Sequence, residues 1–179
     1  FNFSVDTNYT YLVNEFDPSR TADAIALPAN SEYTYSTAAM NFSSDSRKAF
    51  SYSLEQSYGA FFNGTRASSA AEMTLRLQPK AAISLLVSYD KITLPAPYSS
   101  ADFWLVSPSF EFTFSKSIFW STLVQYSNQR NNLGFNSRLQ WRFAPLSDLF
   151  IVYNDNYIVN DFEPRNRSIN LKFTYWLNI

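Results

Sequence analysis

The 179 residues carry 14 Lys and Arg against 15 Asp and Glu, a net charge of -1, with no histidine and no cysteine. A near-neutral chain offers no basic surface to nucleic acid, and the missing residues exclude disulfides, thiolate chemistry, cysteine metal sites and every Ser-His-Asp or Cys-His catalytic arrangement. Aromatics reach 18% while charged residues stop at 16%, against roughly 25% charged in ordinary soluble domains, and there is no run of about 18 apolar residues that would make a membrane helix.

The chain opens on strict alternation. Phe1, Phe3, Val5, Tyr9, Tyr11 and Val13 oppose Asn2, Ser4, Asp6, Asn8 and Asn14, which predicts a two-faced strand because successive strand side chains point to opposite sides. No signal peptide is visible, because Phe1 already starts a strand; either a leader has been cleaved or, the favoured expectation, this is a piece of a longer chain. Phe16 to Ser31, with Asp17-Pro18, Pro28 and Asn30, reads as a long loop. A second, Ala-rich strand covers Tyr33 to Phe42, and Ser43 to Lys48 is a polar turn.

The third strand, Phe50 to Phe62, sets Phe50, Tyr52, Leu54, Tyr58 and Phe62 against Ser51, Ser53, Glu55 and Ser57. Asn63-Gly64-Thr65 is a turn signal that also matches a glycosylation acceptor. The fourth strand, about Ser68 to Leu77, opposes Ala71, Met73, Leu75 and Leu77 to Glu72, Thr74 and Arg76, and Gln78-Pro79-Lys80 closes it. The fifth runs from Ala81 to Tyr89, and a longer loop over Asp90 to Ala101 follows. The sixth, Phe103 to Phe114, places Val106, Phe110, Phe112 and Phe114 against Ser107, Ser109, Glu111 and Thr113, with Pro108 better suited to a bulge or strand end.

After Ser115-Lys116-Ser117 the seventh strand opposes Ile118, Trp120, Val124 and Tyr126 to Ser121, Gln125 and Ser127. The eighth reads LGFNSRLQWRF: Leu133, Phe135, Leu139, Trp141 and Phe143 on one parity, Asn136, Arg138, Gln140 and Arg142 on the other. The ninth, Asp148 to Asn156, shows Leu149, Ile151 and Tyr153 on one face, and an acidic loop is expected over about Asp155 to Asn166. A last strand sets Ile169, Leu171, Phe173, Tyr175 and Leu177 against Asn170, Lys172, Thr174 and Asn178.

About ten strands of membrane-spanning length, with short connections alternating with longer ones, define the expected fold. It is an all-β, antiparallel, up-and-down transmembrane β-barrel, with 1–179 as a single barrel domain or the C-terminal portion of a larger one. Only 3 glycines are present, so Ser, Asn and Ala must serve at bends. Alternation alone does not say which face is inside, and a soluble β-sandwich with its apolar face inward is the competing fold. Whole charges on the polar faces and aromatics near strand ends, Tyr11, Tyr33, Tyr89, Trp104, Tyr126 and Tyr153, favour the membrane arrangement, where they form an interfacial girdle.

Glu55, Glu72, Arg76, Glu111, Arg138, Arg142 and Lys172 are then expected to face a lumen. As a pore lining they would select solutes; with acids and bases nearly balanced, a charge network that stiffens the barrel is the expected role. Asp155, Asp161 and Glu163 lack the spacing of a calcium loop and read as a solvated loop. Neither a metal motif nor a phosphate loop is present, no cofactor is expected, and a non-enzymatic protein is predicted.

The segment from Leu133 through Trp141-Arg142-Phe143, Ser147 to Asp155, Asn166-Arg167-Ser168 and Lys172 to Trp176 resembles the C-terminal end of a family of large bacterial outer-membrane proteins of uncharacterised function. In that family a carbohydrate-binding-like β-domain precedes a C-terminal barrel. The turn Ser44 to Lys48 is similar too. The resemblance implies the C-terminal part of a longer barrel in the bacterial outer membrane and supplies no catalytic residues. Expected partners are outer-membrane lipid, lipopolysaccharide and other envelope proteins. The expected role is a channel, transporter component or membrane platform, the alternatives being a structural barrel subunit of an envelope complex and a soluble glycan-binding sandwich.

Overall fold

The computed structural model describes residues 1–21 and 23–177. Ten strands follow in chain order: β1 (Asn2–Leu12), β2 (Ser31–Ser43), β3 (Phe50–Phe61), β4 (Gly64–Leu77), β5 (Ala81–Thr93), β6 (Ala101–Thr113), β7 (Ile118–Ser127), β8 (Asn132–Ala144), β9 (Ser147–Ile158) and β10 (Glu163–Thr174). They form one antiparallel up-and-down sheet in sequence order, without a helix among the described residues. β1 pairs only with β2 and β10 only with β9, so the expected closure into a barrel is not seen and each end strand keeps a free edge. By contacts the chain divides into a first unit, Phe1–Ser44, Tyr52–Ala71 and Val87–Trp104, and a second, Asp45–Ser51, Glu72–Leu86 and Leu105–Ile179.

In the first unit the β1–β2 ladder runs from Asn2↔Asn41 to Leu12↔Ser31, and β2–β3 from Thr37↔Gly59 to Ser43↔Ser53. This register gathers Phe3, Val5, Tyr9 and Tyr11 with Ala38, Met40, Phe42, Leu54 and Tyr58 on one face. Within connection 13–30 the described residues make local contacts. The Asp17 carboxylate accepts from the Ser19 and Thr21 amides and the Ser19 hydroxyl, a turn that short acidic side chains favour. Phe16 and Leu27 exchange two backbone hydrogen bonds of 3.1 and 2.8 Å, and Leu27 is fully buried. Phe16 then meets Phe62, which touches Tyr33 and Tyr35. Tyr33 and Tyr35 are cross-strand partners of Thr10 and Asn8, the polar parity of β1. Tyr33 is therefore not an interfacial girdle residue: it joins an aromatic cluster on the polar face, over which the 13–30 connection tucks.

In the second unit β7, β8, β9 and β10 are paired over most of their lengths, from Ile118↔Trp141 and Asn132↔Ile158 to Arg167↔Asp155 and Thr174↔Asp148. The β6–β7 ladder lapses at Ser107 and Pro108 and resumes at Ser109↔Leu123 in the same register. Pro108 has no amide hydrogen to give, yet needs no bulge. Bulges fall instead between Arg142 and Ala144 and between Pro164 and Asn166. At the first, Phe143 stacks on Phe173 and Tyr175 at 5.3 and 6.3 Å.

Several connections are shorter than their composition suggests. Strand β4 begins at Gly64 rather than near Ser68, because 62–63 is a two-residue turn with Phe62 at φ 50°. β5 continues to Thr93, and β9 and β10 take in most of the expected acidic loop, leaving 94–100 and 159–162. The last strand ends at Thr174, ahead of the expected Tyr175 and Leu177, and Asn178 lies outside the described residues.

A sheet of this size ordinarily hides one face. Here the buried apolar residues are Leu12, Leu27, Ile92 and Leu94, all at strand ends or in connections. The apolar face is bare in both units: Phe3 is 60% exposed, Trp141 47% and Leu171 67%.

Candidate functional site

All seven charged positions singled out from the sequence fall on the polar parity of their strands. In the first unit Glu55 pairs with Asn41, itself opposite Asn2. In the second, Arg76 Nη1 donates to the Ser51 hydroxyl at 3.1 Å and to the Ser46 carbonyl at 2.9 Å, and Thr74 meets Ser84 at 3.0 Å, which fixes the face of Glu72, Thr74 and Arg76. Glu111 and Arg138 share a row through Ser121, Arg142 stands opposite Asp148, and Lys172 opposite Phe150.

These seven do not pair with one another. Arg142 lies 3.4 Å from Asp148, whose carboxylate also accepts from Gln140 Nε2 at 2.9 Å. Glu55, Glu72, Glu111, Arg138 and Lys172 make no side-chain hydrogen bond or ion pair among the described residues. Residues outside the predicted set carry the tighter pairs. Arg66 clamps Asp90 through Nε at 2.9 Å and Nη2 at 2.5 Å, with the Ser68 hydroxyl on the same oxygen. The guanidinium also lies over the Phe61 ring at 5.6 Å. The β4–β5 register brings Arg66 and Asp90 together, and no local motif in the sequence announces it.

The polar face of the first unit holds a depression of about 400 Å³ bordered by Asn41, Glu55, Gln56, Arg66, Ser88 and Asp90. That of the second holds one of about 210 Å³, bordered by Glu111, Thr113, Phe119, Ser121, Arg138 and Gln140. The polar face of this unit is not uniformly polar. Phe119 and Phe150 flank Gln140, and Val152 is the partner of Arg138.

Asp155 corrects its loop assignment. It sits in β9, is 2% exposed, and belongs to the apolar parity with Ile151 and Tyr153. One oxygen accepts from Tyr153 and Tyr157 hydroxyls at 2.6 and 2.8 Å and from Arg167 Nε at 2.9 Å; the other is buried without a partner. Arg167 Nη2 also donates to the Tyr157 hydroxyl at 2.7 Å. Among the described residues no cluster of acids suits a metal ion.

Outside the strands, the 44–49 turn carries one charge pair. The Arg47 guanidinium and its backbone amide donate to Asp45 at 2.9 to 3.0 Å. This holds the Asp45 carboxyl below its ordinary value and raises that of Arg47.

Compared with known proteins, the chain matches no family model and no curated protein.

Proposed function

We propose that this chain forms the wall of a bacterial outer-membrane β-barrel, its apolar face against lipid and its polar face lining a lumen, and that it acts as a channel, transporter component or membrane platform. The observation that carries the reading is the bare apolar face. Aromatic and aliphatic side chains on one parity of every strand from β1 to β10 have no second layer over them among the described residues. In water such a surface far exceeds what monomeric proteins leave exposed; in hydrocarbon it is matched.

Three further features agree with it. Strands of 10 to 14 residues suffice to cross a bilayer at a tilt. Phe16, in the connection after β1, packs with Phe62 on the polar face rather than on the apolar one. Trp141, Phe143, Phe173 and Tyr175 gather near the 145–146 turn, and Tyr153 and Tyr157 toward the 159–162 turn, as two interfacial belts would. A spanning sheet leaves no edge unpaired in hydrocarbon, so the reading requires the free edges of β1 and β10 to be paired in the membrane.

Expression in a Gram-negative host followed by fractionation tests this. The protein should pellet with outer membranes, need detergent for extraction and migrate anomalously on unheated denaturing gels. A monomer soluble without detergent would instead support the glycan-binding sandwich.

A further inference from the structure

The second unit's depression is built across three strands. Glu111 on β6 and Arg138 on β8 are both partners of Ser121 on β7, so the two charged residues lie two strand spacings apart, roughly 9.6 Å between backbones. The residue between them is short, and this opens the trough. One row along, Thr113 and Gln140 flank Phe119 in the same way, adding two hydrogen-bonding groups and an apolar floor.

The charges at the two walls are opposite, and neither is neutralised by a neighbour. Glu111 and Arg138 are exposed, line the same cavity of about 210 Å³, and do not bond to each other or to any other charged side chain among the described residues. A group that satisfies both walls must carry an anion toward Arg138 and a cation toward Glu111 a few ångströms apart.

We propose that this trough binds a small zwitterion of the α-amino acid kind, carboxylate on the Arg138 guanidinium and ammonium on the Glu111 carboxylate, over Ser121 and Phe119. Arginine suits the first role because its planar fork matches a carboxylate with two parallel hydrogen bonds. Glutamate suits the second as an acceptor for the three ammonium hydrogens. A solute bearing one charge leaves the opposite wall unpaired and is discriminated against. The proposal rests on the polar face being open to solute, as the barrel reading has it.

The test uses the whole chain in detergent micelles and ligand-observed NMR titration with glycine, N-acetylglycine and glycinamide. Glycine should bind about ten-fold tighter than either analogue. In Arg138→Gln glycine and N-acetylglycine should weaken while glycinamide is unchanged; in Glu111→Gln glycine and glycinamide should weaken while N-acetylglycine is unchanged. Equal binding of the three probes to the unsubstituted chain, or no binding of glycine, overturns the proposal whatever the variants do. Membrane fractionation of the expressing cells before detergent extraction separates this failure from failure of the barrel reading, which survives if the protein still pellets with outer membranes.

Discussion

A carboxylate on an apolar sheet face is costly, and Asp155 is held there by three donors converging on one oxygen, from Tyr153, Tyr157 and Arg167. The Arg167 side chain is 55% exposed, whereas that of Asp155 is 3% exposed. Removing the cation therefore strands a buried charge. Arg167→Met should lower stability, read as an earlier midpoint in denaturant unfolding in micelles. Asp155→Asn combined with Arg167→Met should recover most of the loss, and an unchanged single variant would show that Asp155 does not depend on its partner. Leu146 presents the opposite case, a residue whose backbone is strained while its side chain contributes little. It follows Pro145 in the two-residue β8–β9 turn at φ 54° and is 67% exposed. Leu146→Gly should raise stability by about 1 kcal/mol, and a loss in the same unfolding assay would contradict this. The 44–49 turn gives a pH signature. Because Asp45 has its folded pKa lowered by Arg47, its contribution is complete above the ordinary carboxylate value, about 4, and is lost as pH falls through the lower folded value. Protection of the Arg47 amide relative to its intrinsic exchange rate should fall in that acid window, and Asp45→Asn should remove the pH dependence of that protection.

At the scale of elements, glycine works by close approach rather than by turning the chain. A Cβ at Gly64 would overlap the Thr93 carbonyl oxygen and crowd Leu94, and one at Gly59 would overlap backbone of Ser36 and Thr37. Gly64→Ala should cost about 2 kcal/mol through forced backbone shifts, measured as a lower unfolding midpoint; an unchanged midpoint would show that β4 and β5 can part without penalty. Period-two alternation was enough to read all ten strands and the parity of all seven charged positions, since a one-residue slip would reverse every face. The ends of elements were less legible. Asp155 falls where the ninth strand and the expected loop overlap and Arg167 lies just past that loop; only the pairing of β9 with β10 sets them opposite each other. Phe62 fits the apolar parity of β3 by count, yet the chain turns at it and carries its ring to Tyr33 and Tyr35. Partnership was the least legible property of all: Arg66 with Asp90 and Arg142 with Asp148 depend on register between strands, which alternation within one strand does not encode.

For the whole molecule, the proposed arrangement sets the apolar parity against lipid and the polar parity against water. Both units display the same two-faced design, with hydrophobic burial confined to strand ends and connections. That leaves the stabilisation of the exposed aromatics and aliphatics to the surroundings, at roughly 25 cal/mol per Å² of apolar area removed from water. A sandwich would supply the cover from a second sheet; a barrel takes it from hydrocarbon. β8 decides between the two faces most directly, since Leu139 and Trp141 alternate with Arg138, Gln140 and Arg142 in an interior strand paired on both sides. The chain has no cysteine, so single cysteines at 138, 139, 140 and 141 can carry a spin label without background. In reconstituted membranes the labels at 139 and 141 should collide with oxygen dissolved in lipid, and those at 138 and 140 with a water-soluble nickel complex. Equal access of the nickel complex to all four positions, or its preference for 139 and 141, would show that the apolar face of this sheet does not meet lipid.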